Sequence, residues 1–174
     1  MARAYPRTVV VVGNPKPKSR TLAAARRVTH ELTGAQPDMV LDLATLGATL
    51  LDWHDPYVTQ LVTEVAAAEL VVVASPTYKG TFTGLLKLFL DRFPANSMTG
   101  LAVPLMLGAA PGHALAPELS LRPVLTEIGA SVPVRGLYVL DSAYDDPTAY
   151  ADWLDTARTR VAAHLTPRRQ GAIA

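Results

Sequence analysis

Residues 75–87 have the sequence SPTYKGTFTGLLK, which combines a proline, a tyrosine and closely spaced glycines. They directly follow residues 70–74, a continuous apolar run that is typical of a buried parallel strand. Glycines let the backbone turn tightly and come close to a bound molecule. We therefore expect a backbone-rich rim at the carboxyl end of this strand, suited to gripping a flat ring with polar edges.

A second candidate loop lies near the start of the chain. There, residues 14–21 have the sequence NPKPKSRT and follow the β-branched run Thr8–Val12 and Gly13. The loop supplies hydroxyl groups, cations and the start of a predicted helix, and helix N-termini and cations both favour bound phosphate. A phosphate cradle after the first strand and a ring cradle after the third together predict a site for FMN.

The elements that must hold these loops alternate regularly along the chain. Apolar runs predict strands at residues 8–12, 39–43, 70–74, 101–107 and 131–140. Amphipathic patterns and caps predict helices at residues 21–32, 56–68, 83–93, 115–128 and from Asp146-Pro147 to about residue 165. We expect Ser19 and Asp55 to cap the first two helices. Pro123 should bend the fourth helix, and Pro133 should delay the fifth strand or place it at a sheet edge.

Five strands that are each followed by a helix require a parallel sheet with right-handed crossovers and helices on both faces. The predicted fold is therefore α/β, a three-layer, flavodoxin-like, doubly wound sheet with strand order 2-1-3-4-5. In that order FMN binds where the strand order reverses, between the first and third strands. The two candidate loops follow those two strands, so the topology brings them to one site.

The composition fits one well-packed domain over residues 1–174, with a tail from about residue 166 that we expect to be frayed. The formal net charge of +1 argues against nucleic acid or an anionic membrane as a partner. Because cysteine is absent, disulfides, thiolate metal sites and cysteine nucleophiles are excluded. No apolar run approaches the roughly 18 residues of a membrane span, and the residues before Thr8 lack the apolar core of a signal peptide. We therefore expect a cytoplasmic protein.

Other groups of reactive side chains have simpler interpretations. Asp52, His54 and Asp55 could suggest a metal site, but Asp55 is better explained as a helix cap, so we predict no metal. Asp145 and Asp146 are likewise interpreted as a cap rather than a catalytic carboxylate pair. No arrangement of serine, histidine and aspartate indicates nucleophilic catalysis.

Several segments carry a resemblance to a known family: residues 13–21 (GNPKPKSRT), 75–80 (SPTYKG), 83–87 (TGLLK), 108–113 (GAAPGH) and 121–125 (LRPVL). On these residues the chain resembles the NADPH-dependent FMN reductase family, especially its sulfonate-utilisation type, over nearly its whole length. The resemblance implies hydride transfer from NADPH or NADH to N5 of FMN. The chemistry then belongs to the flavin, and no catalytic side chain is implied.

The resemblance also implies which residues bind the cofactor. Ser19, Arg20 and Thr21 hold the phosphate, residues 76–80 line the isoalloxazine, and residues 108–112 close its pyrimidine side. His113, in the third loop, is a candidate contact to flavin or nicotinamide. The complete set of implied cofactor-binding residues is Asn14, Lys16, Ser19, Arg20, Thr21, Pro76, Thr77, Tyr78, Lys79, Gly80, Gly108, Ala109, Gly112 and His113.

The chain departs from the family pattern at two places. The usual Gly-Ser-x-Arg opening is Gly13-Asn14-Pro15-Lys16 here, so one hydroxyl is lost and lysine lacks the bidentate fork of arginine. Leu119 stands where some sulfonate-type relatives have a tyrosine linked to a π-helical bulge at a tetramer interface. Flavin exchange and tetramer geometry therefore stay open.

Three functions fit these observations. The first is an FMN reductase, expected as a homodimer or homotetramer, that supplies reduced flavin to a partner such as a flavin-dependent monooxygenase. The second is a quinone or azo reductase that retains its FMN, which the departure at Leu119 favours. The third is a flavodoxin-like electron carrier, which the near-neutral charge disfavours because carriers present a strongly negative face. The sequence leaves open whether FMN is a substrate or a prosthetic group, whether NADPH or NADH is preferred, and which acceptor receives the electrons.

Overall fold

The central sheet consists of β1 (Thr8–Val12), β2 (Met39–Asp42), β3 (Leu70–Pro76), β4 (Leu101–Gly108) and β5 (Leu137–Leu140). The structure is a computed structural model that describes residues 7–165, and the tail predicted to fray from residue 166 lies outside this range. Every pairing in the sheet is parallel, and the strand order is β2-β1-β3-β4-β5. The predicted α/β, flavodoxin-like topology is confirmed.

The helices are α1 (Arg20–Thr33), α2 (Pro56–Ala66), α3 (Gly84–Leu90), α4 (Arg122–Glu127) and α5 (Thr148–His164). The predicted caps of the first two helices are confirmed, because Ser19 accepts from the amide of Leu22 at 3.3 Å and Asp55 from that of Val58 at 2.8 Å. Asp146 accepts from the amide of Thr148, the first residue of α5, but the capping position itself is Pro147, one residue later than predicted. Within the described residues, no helix is both long and apolar enough to cross a membrane.

Two hydrophobic cores lie on opposite faces of the sheet. Because side chains alternate along a strand, Val9 and Val11 of β1 pack with α2, α3 and α4, whereas Val10 and Val12 pack with α1 and α5. All four valines are fully buried. Burial on both faces explains why the central strands are continuous apolar runs rather than alternating ones.

Some predicted boundaries were wrong. The fifth strand begins at Leu137 instead of residue 131, and Ser131 forms only an isolated bridge with Leu101. Pro133 lies in residues 131–136, which were predicted to belong to the strand but do not, and a proline has no N–H to donate to a neighbouring strand. β2 ends at Asp42 because the side chain of Asp42 accepts from the amide of Ala44 and caps a short 3₁₀ helix. The other helix and strand limits differ from the prediction by a few residues at their ends.

The segment between β4 and α4 differs most from its prediction. In place of one bent α-helix over residues 115–128, it forms a π-helix at Pro117–Leu121 that leads into α4. The amide of Arg122 donates to the carbonyl of Pro117, five residues back, and Pro123 has no N–H to continue the α-helical pattern. Leu119 lies in this π-helix and is 73% exposed. The π-helix therefore forms with leucine at this position.

Candidate functional site

Three loops meet at the carboxyl edge of the sheet, because β1, β3 and β4 are neighbours. We call them the first loop (residues 13–19), the second loop (residues 77–83) and the third loop (residues 109–116). The predicted site residues all lie in these loops, at the strand ends that lead into them, or in the first turn of α1. The sheet therefore brings the predicted set to one edge.

The first loop is shaped by side chains that bond to its backbone. Asn14 donates from Nδ2 to the hydroxyl of Thr21 at 3.0 Å and accepts from the amide of Lys16 at 2.9 Å. Lys18 has a left-handed φ of 52°, and its amide donates to Oδ2 of Asp42 at 2.9 Å. Asn14 is thus an internal support of the loop, and Asp42 at the end of β2 is a second support that the sequence did not indicate.

The first turn of α1 leaves backbone donors without helical partners. The amides of Leu22 and Ala23 donate to the side chain and carbonyl of Ser19, but the amides of Arg20 and Thr21 have no acceptor within residues 7–165. Ser19 and Thr21 are buried, with exposed fractions of 6% and 1%. The result is a set of amides and hydroxyls at the positive end of a helix dipole, a combination that suits an anion.

Arg20 is directed toward β5. Its Nη1 donates to Oδ2 of Asp141 at 2.5 Å, and its guanidinium lies 5.5 Å from the centre of the Tyr144 ring. Lys16 and Lys18 are exposed. The first turn of α1 therefore carries a cation that is already shared with a carboxylate from the far edge of the sheet.

Gly13 joins the first loop to the second. Its amide donates to the carbonyl of Ala74 at 2.8 Å, and its carbonyl accepts from the hydroxyl of Thr83. A Cβ at this position would lie 2.3 Å from Cβ of Leu86 in α3, so only glycine fits there without a shift of the helix. Thr83 also caps α3 through the amide of Leu86, at 3.1 Å.

The second loop is a tight turn fixed by its own backbone. Tyr78 and Thr81 exchange backbone hydrogen bonds of 2.8 and 3.3 Å. Lys79 and Gly80, between them, have φ values of 54° and 83°, which is the pattern of a type I′ turn. Tyr78 is 53% exposed beside this turn. Glycine is the residue expected at the second left-handed position, whereas Lys79 adopts that region at some steric cost.

The third loop is held by Tyr138 of β5, a residue that sequence reasoning missed. The Tyr138 hydroxyl donates to the carbonyl of Ala110 at 2.6 Å, and it lies only 1.9 Å from where a Cβ on Gly108 would be. Burial raises the pKa of this phenol, partly offset by the neighbouring Thr77 hydroxyl and by the bond to the Ala110 carbonyl, so it stays a neutral donor at neutral pH. The sequence did contain a signal for this role, because Tyr138 is a polar-tipped residue in a short apolar strand and the preceding strand ends in Gly108, which leaves room for it.

Contacts between the second and third loops complete the edge. The amide of Thr77 donates to the carbonyl of Leu107 at 2.6 Å, which ties the end of β3 to β4. The imidazole of His113 lies 3.8 Å from where a Cβ on Gly80 would be, so the two loops lie side by side at these residues. Ala109 and Gly112 are exposed, and a Cβ on Gly112 would meet nothing within 4 Å.

The segment around Asp52 and His54 has a structural explanation. Arg92 donates to the carbonyls of Asp52 and Trp53 at 2.8 and 3.0 Å, and its guanidinium lies over the Trp53 ring. Among the residues that the structure describes, no group of three or more histidine, aspartate and glutamate side chains is arranged to hold a metal ion.

Comparison with known proteins agrees with this geometry. The family model of NADPH-dependent FMN reductases matches residues 6–145. An FMN reductase (NADPH) of Pseudomonas aeruginosa is 34% identical over 167 residues, which are 90% of this chain and 88% of that protein. An FMN-dependent NADPH-azoreductase of Staphylococcus haemolyticus is 29% identical, over 83% of this chain and 84% of the azoreductase.

Among solved structures, the apo form of an NADH:FMN oxidoreductase superimposes with a TM-score of 0.82 at 26% identity, over 94% of this chain and 92% of that one. The resemblance inferred from the loop sequences is therefore confirmed by both sequence and fold. Because the family match covers most of the chain, this protein belongs to the NADPH-dependent FMN reductase family and is an NAD(P)H-dependent flavin oxidoreductase.

Proposed function

We propose that this protein reduces FMN with NADPH or NADH and that FMN binds across the three loops. The observation that carries the proposal is the convergence of these loops at one sheet edge, where Thr83 bonds to Gly13 and His113 lies beside Gly80, within 4 Å of where a Cβ on that glycine would be. In a doubly wound sheet of this strand order, that edge is where FMN binds. Family membership supports the same reading, because its members are described as NADPH-dependent FMN reductases.

The first loop and the start of α1 supply the phosphate end of the proposed site. The free amides of Arg20 and Thr21 and the hydroxyls of Ser19 and Thr21 donate to phosphate oxygens, and the helix dipole favours the negative charge. The guanidinium of Arg20 adds charge-assisted hydrogen bonds. Asn14 acts indirectly, since it fixes the Thr21 hydroxyl, and Lys16 contributes a solvated cation. This donor set fits a phosphate monoester.

The second and third loops supply the ring end. Their backbone groups are fixed before any ligand arrives, by the turn at Lys79-Gly80 and by the bond from Tyr138 to Ala110. Fixed amides and carbonyls suit the polar edge of an isoalloxazine, and Tyr78 offers an exposed aromatic face. The residues proposed for this end are Pro76, Thr77, Tyr78, Lys79, Gly80, Gly108, Ala109, Gly112 and His113.

The proposed chemistry needs no acid or base from the protein. When bound, FMN supplies a ring that accepts hydride at N5 from the reduced nicotinamide. The side chains and amides of the three loops then bind and orient the two nucleotides and leave one ring face open. The three loops contain no aspartate or glutamate, which agrees with a site where the flavin performs the chemistry and the protein only binds and orients the nucleotides.

We also propose that reduced FMN leaves for a cytoplasmic partner such as a flavin-dependent monooxygenase, and that the protein acts as a homodimer or homotetramer. The support is the resemblance of the loop sequences to sulfonate-utilisation reductases. Light scattering on the purified protein tests the assembly, since one chain has a mass of 18.6 kDa. Transfer of reduced flavin is tested by coupling the protein to a monooxygenase that has no reductase of its own.

The first test of the activity is NADPH oxidation while added FMN is titrated, with the starting flavin content recorded. A saturable rise from nearly flavin-free protein supports reduction of exchangeable FMN. No oxidation at any FMN concentration, with either NADPH or NADH, would overturn the proposal and leave an electron carrier.

The phosphate end is tested by Arg20→Ala, which should weaken FMN binding about tenfold and leave riboflavin binding unchanged. Arg26→Ala is the matched control. It removes the same charge from an exposed position on α1, about 9 Å further along the helix axis. Equal FMN affinity for the two variants would contradict the assigned phosphate site.

A second candidate function is that of an azo or quinone reductase that retains its FMN. The similarity to the azoreductase of Staphylococcus haemolyticus favours it. Flavin-loaded protein whose rate ignores added FMN but rises with an azo dye or a quinone would support this alternative over the first.

A further inference from the structure

The guanidinium of Arg20, our proposed charged ligand of the FMN phosphate, has an anionic partner within the chain. Its Nη1 donates to Oδ2 of Asp141 at 2.5 Å, and the Tyr144 ring lies beside it. The Arg20 and Asp141 side chains are 58% and 44% exposed. Exposed ion pairs of this kind are weak, so an incoming anion is able to replace Asp141.

Asp141 begins the segment that follows β5, and two hydrogen bonds from neighbouring helices anchor that segment. The Tyr150 hydroxyl of α5 donates to the carbonyl of Tyr144 at 2.6 Å. Arg27 of α1 donates to the carbonyl of Asp145 at 3.1 Å. These bonds fix residues 144 and 145 against both helices, and Asp141 directly follows β5, so the backbone that carries its carboxylate is anchored on both sides.

We propose that Asp141 competes with the FMN phosphate for Arg20 and thereby lowers FMN affinity and speeds FMN release. A guanidinium binds carboxylate and phosphate with the same N–H groups, so the Nη1 donor that is bonded to Asp141 is withdrawn from the phosphate while the pair lasts. A carboxylate beside a bound dianion also repels it. The inference rests on the proposed function, because it takes Arg20 as a phosphate ligand. It makes Asp141 a residue that favours exchangeable FMN over a retained prosthetic group.

The test is Asp141→Asn, which removes the charge with little change in shape. FMN should bind this variant about fivefold more tightly and dissociate correspondingly more slowly, given the strength of exposed ion pairs. Affinity is read from flavin fluorescence, and release from a stopped-flow chase, both without any nicotinamide nucleotide. Riboflavin, which has no phosphate, should bind the variant and the wild type equally.

Glu31→Gln is the matched control. Glu31 also joins α1 to α5 through an ion pair, with Arg158, and its side chain is 32% exposed. It lies about 16 Å from Arg20 along the helix axis. The substitution removes the same charge, so FMN affinity close to the wild-type value would show that position, and not net charge, decides the effect of Asp141.

A double variant separates competition from simple repulsion. In an Arg20→Ala background, Asp141→Asn should lose most of its effect, because the contested arginine is gone. If Asp141→Asn still raises FMN affinity about fivefold in the Arg20→Ala background, competition for Arg20 is contradicted. Unchanged or weaker FMN binding by the single variant Asp141→Asn would contradict it as well. Asp141→Ser repeats that measurement with a side chain too short to reach Arg20. If the wild type does not bind FMN, or Arg20→Ala binds it normally, the proposed phosphate site fails instead.

Discussion

The first and second loops reach the same edge of the sheet but are built differently. The second loop is a turn closed by backbone hydrogen bonds between Tyr78 and Thr81. The first loop depends on side chains, because Asn14 and Asp42 hold its backbone. The strongest cation at its end, Arg20, is exposed and paired with a residue 121 positions away.

This difference means that fixed shape dominates at the ring end of the proposed site, whereas charge matters more at the phosphate end. Backbone hydrogen bonds and the half-buried phenol of Tyr138 fix the ring end, so its geometry exists before a ligand binds. The phosphate end adds to its amides and buried hydroxyls a set of exposed charges whose interactions with each other are weak and adjustable. We infer that the ring end determines which heterocycle binds, whereas the phosphate end sets how long FMN stays.

Gly13→Ala should break the joint between the two regions and give the largest effect. Its Cβ would lie 2.3 Å from Cβ of Leu86 and 3.0 Å from its Cα, so α3 must move. Overpacking of this kind costs about 1–3 kcal/mol, and contact with backbone puts this case at the upper end. Urea unfolding should show the loss of stability.

Gly84→Ala is the control for that experiment. A Cβ on Gly84, the first residue of α3, would meet nothing within 4 Å. Stability should stay the same or rise by about 0.5 kcal/mol. If the two alanine variants are equally stable, Gly13 does not join the loops in the way described.

Gly108→Ala tests the ring end. The new methyl group would occupy the place of the Tyr138 hydroxyl and break its bond to Ala110. FMN and riboflavin affinity should fall together by about tenfold, or about 1.4 kcal/mol. Tyr138→Phe removes only the hydroxyl and should give a smaller loss, again equal for both flavins. A loss confined to FMN would contradict the separation of the two regions.

Tyr150 anchors the segment that carries Asp141, the partner of Arg20, and its titration should make the free energy of unfolding depend on pH. This dependence should be small at neutral pH. Burial raises the pKa of Tyr150 to about 12, with opposing effects of the Arg27 and Asp145 charges. The unfolded chain loses this proton near pH 10, so the stability from the neutral phenol is complete below pH 10 and is lost between pH 10 and 12. The loss should be about 1.4 kcal/mol at pH 11.

Denaturation of wild type and Tyr150→Phe across this range measures that contribution. The phenylalanine variant lacks the bond to Tyr144 at every pH, but its stability should fall less steeply from pH 10 to 12. Parallel stability curves would mean that Tyr150 does not titrate in the way its burial requires.

Local patterns predicted most of the fold and the location of the site. The continuous apolar runs predicted the central strands, because strands that are buried on both faces do not alternate apolar and polar residues. Ser19 and Asp55 were identified as caps since a cap requires only a side chain and the next few amides. Pro133 marked the late start of β5, although the strand begins four positions later still, at Leu137.

Local patterns also placed the candidate loops, because the loops follow the strands and right-handed crossovers leave few possible strand orders. They did not reveal Asp42, Tyr138 or Asp141, which lie in or directly after other strands and act through contacts between residues 24 to 121 positions apart in sequence. Nor did they reveal the π-helix, since that depends on where the chain returns to the sheet as well as on Pro123.

Hydrophobic periodicity, caps and turn glycines therefore set the elements and the edge where the loops meet, because each depends on neighbours along the chain. Tertiary packing decided which groups in those loops are free and which are occupied. The shared guanidinium of Arg20 and the phenol under the third loop exist only because β5 lies where the sheet places it, and no spacing within either segment encodes that contact.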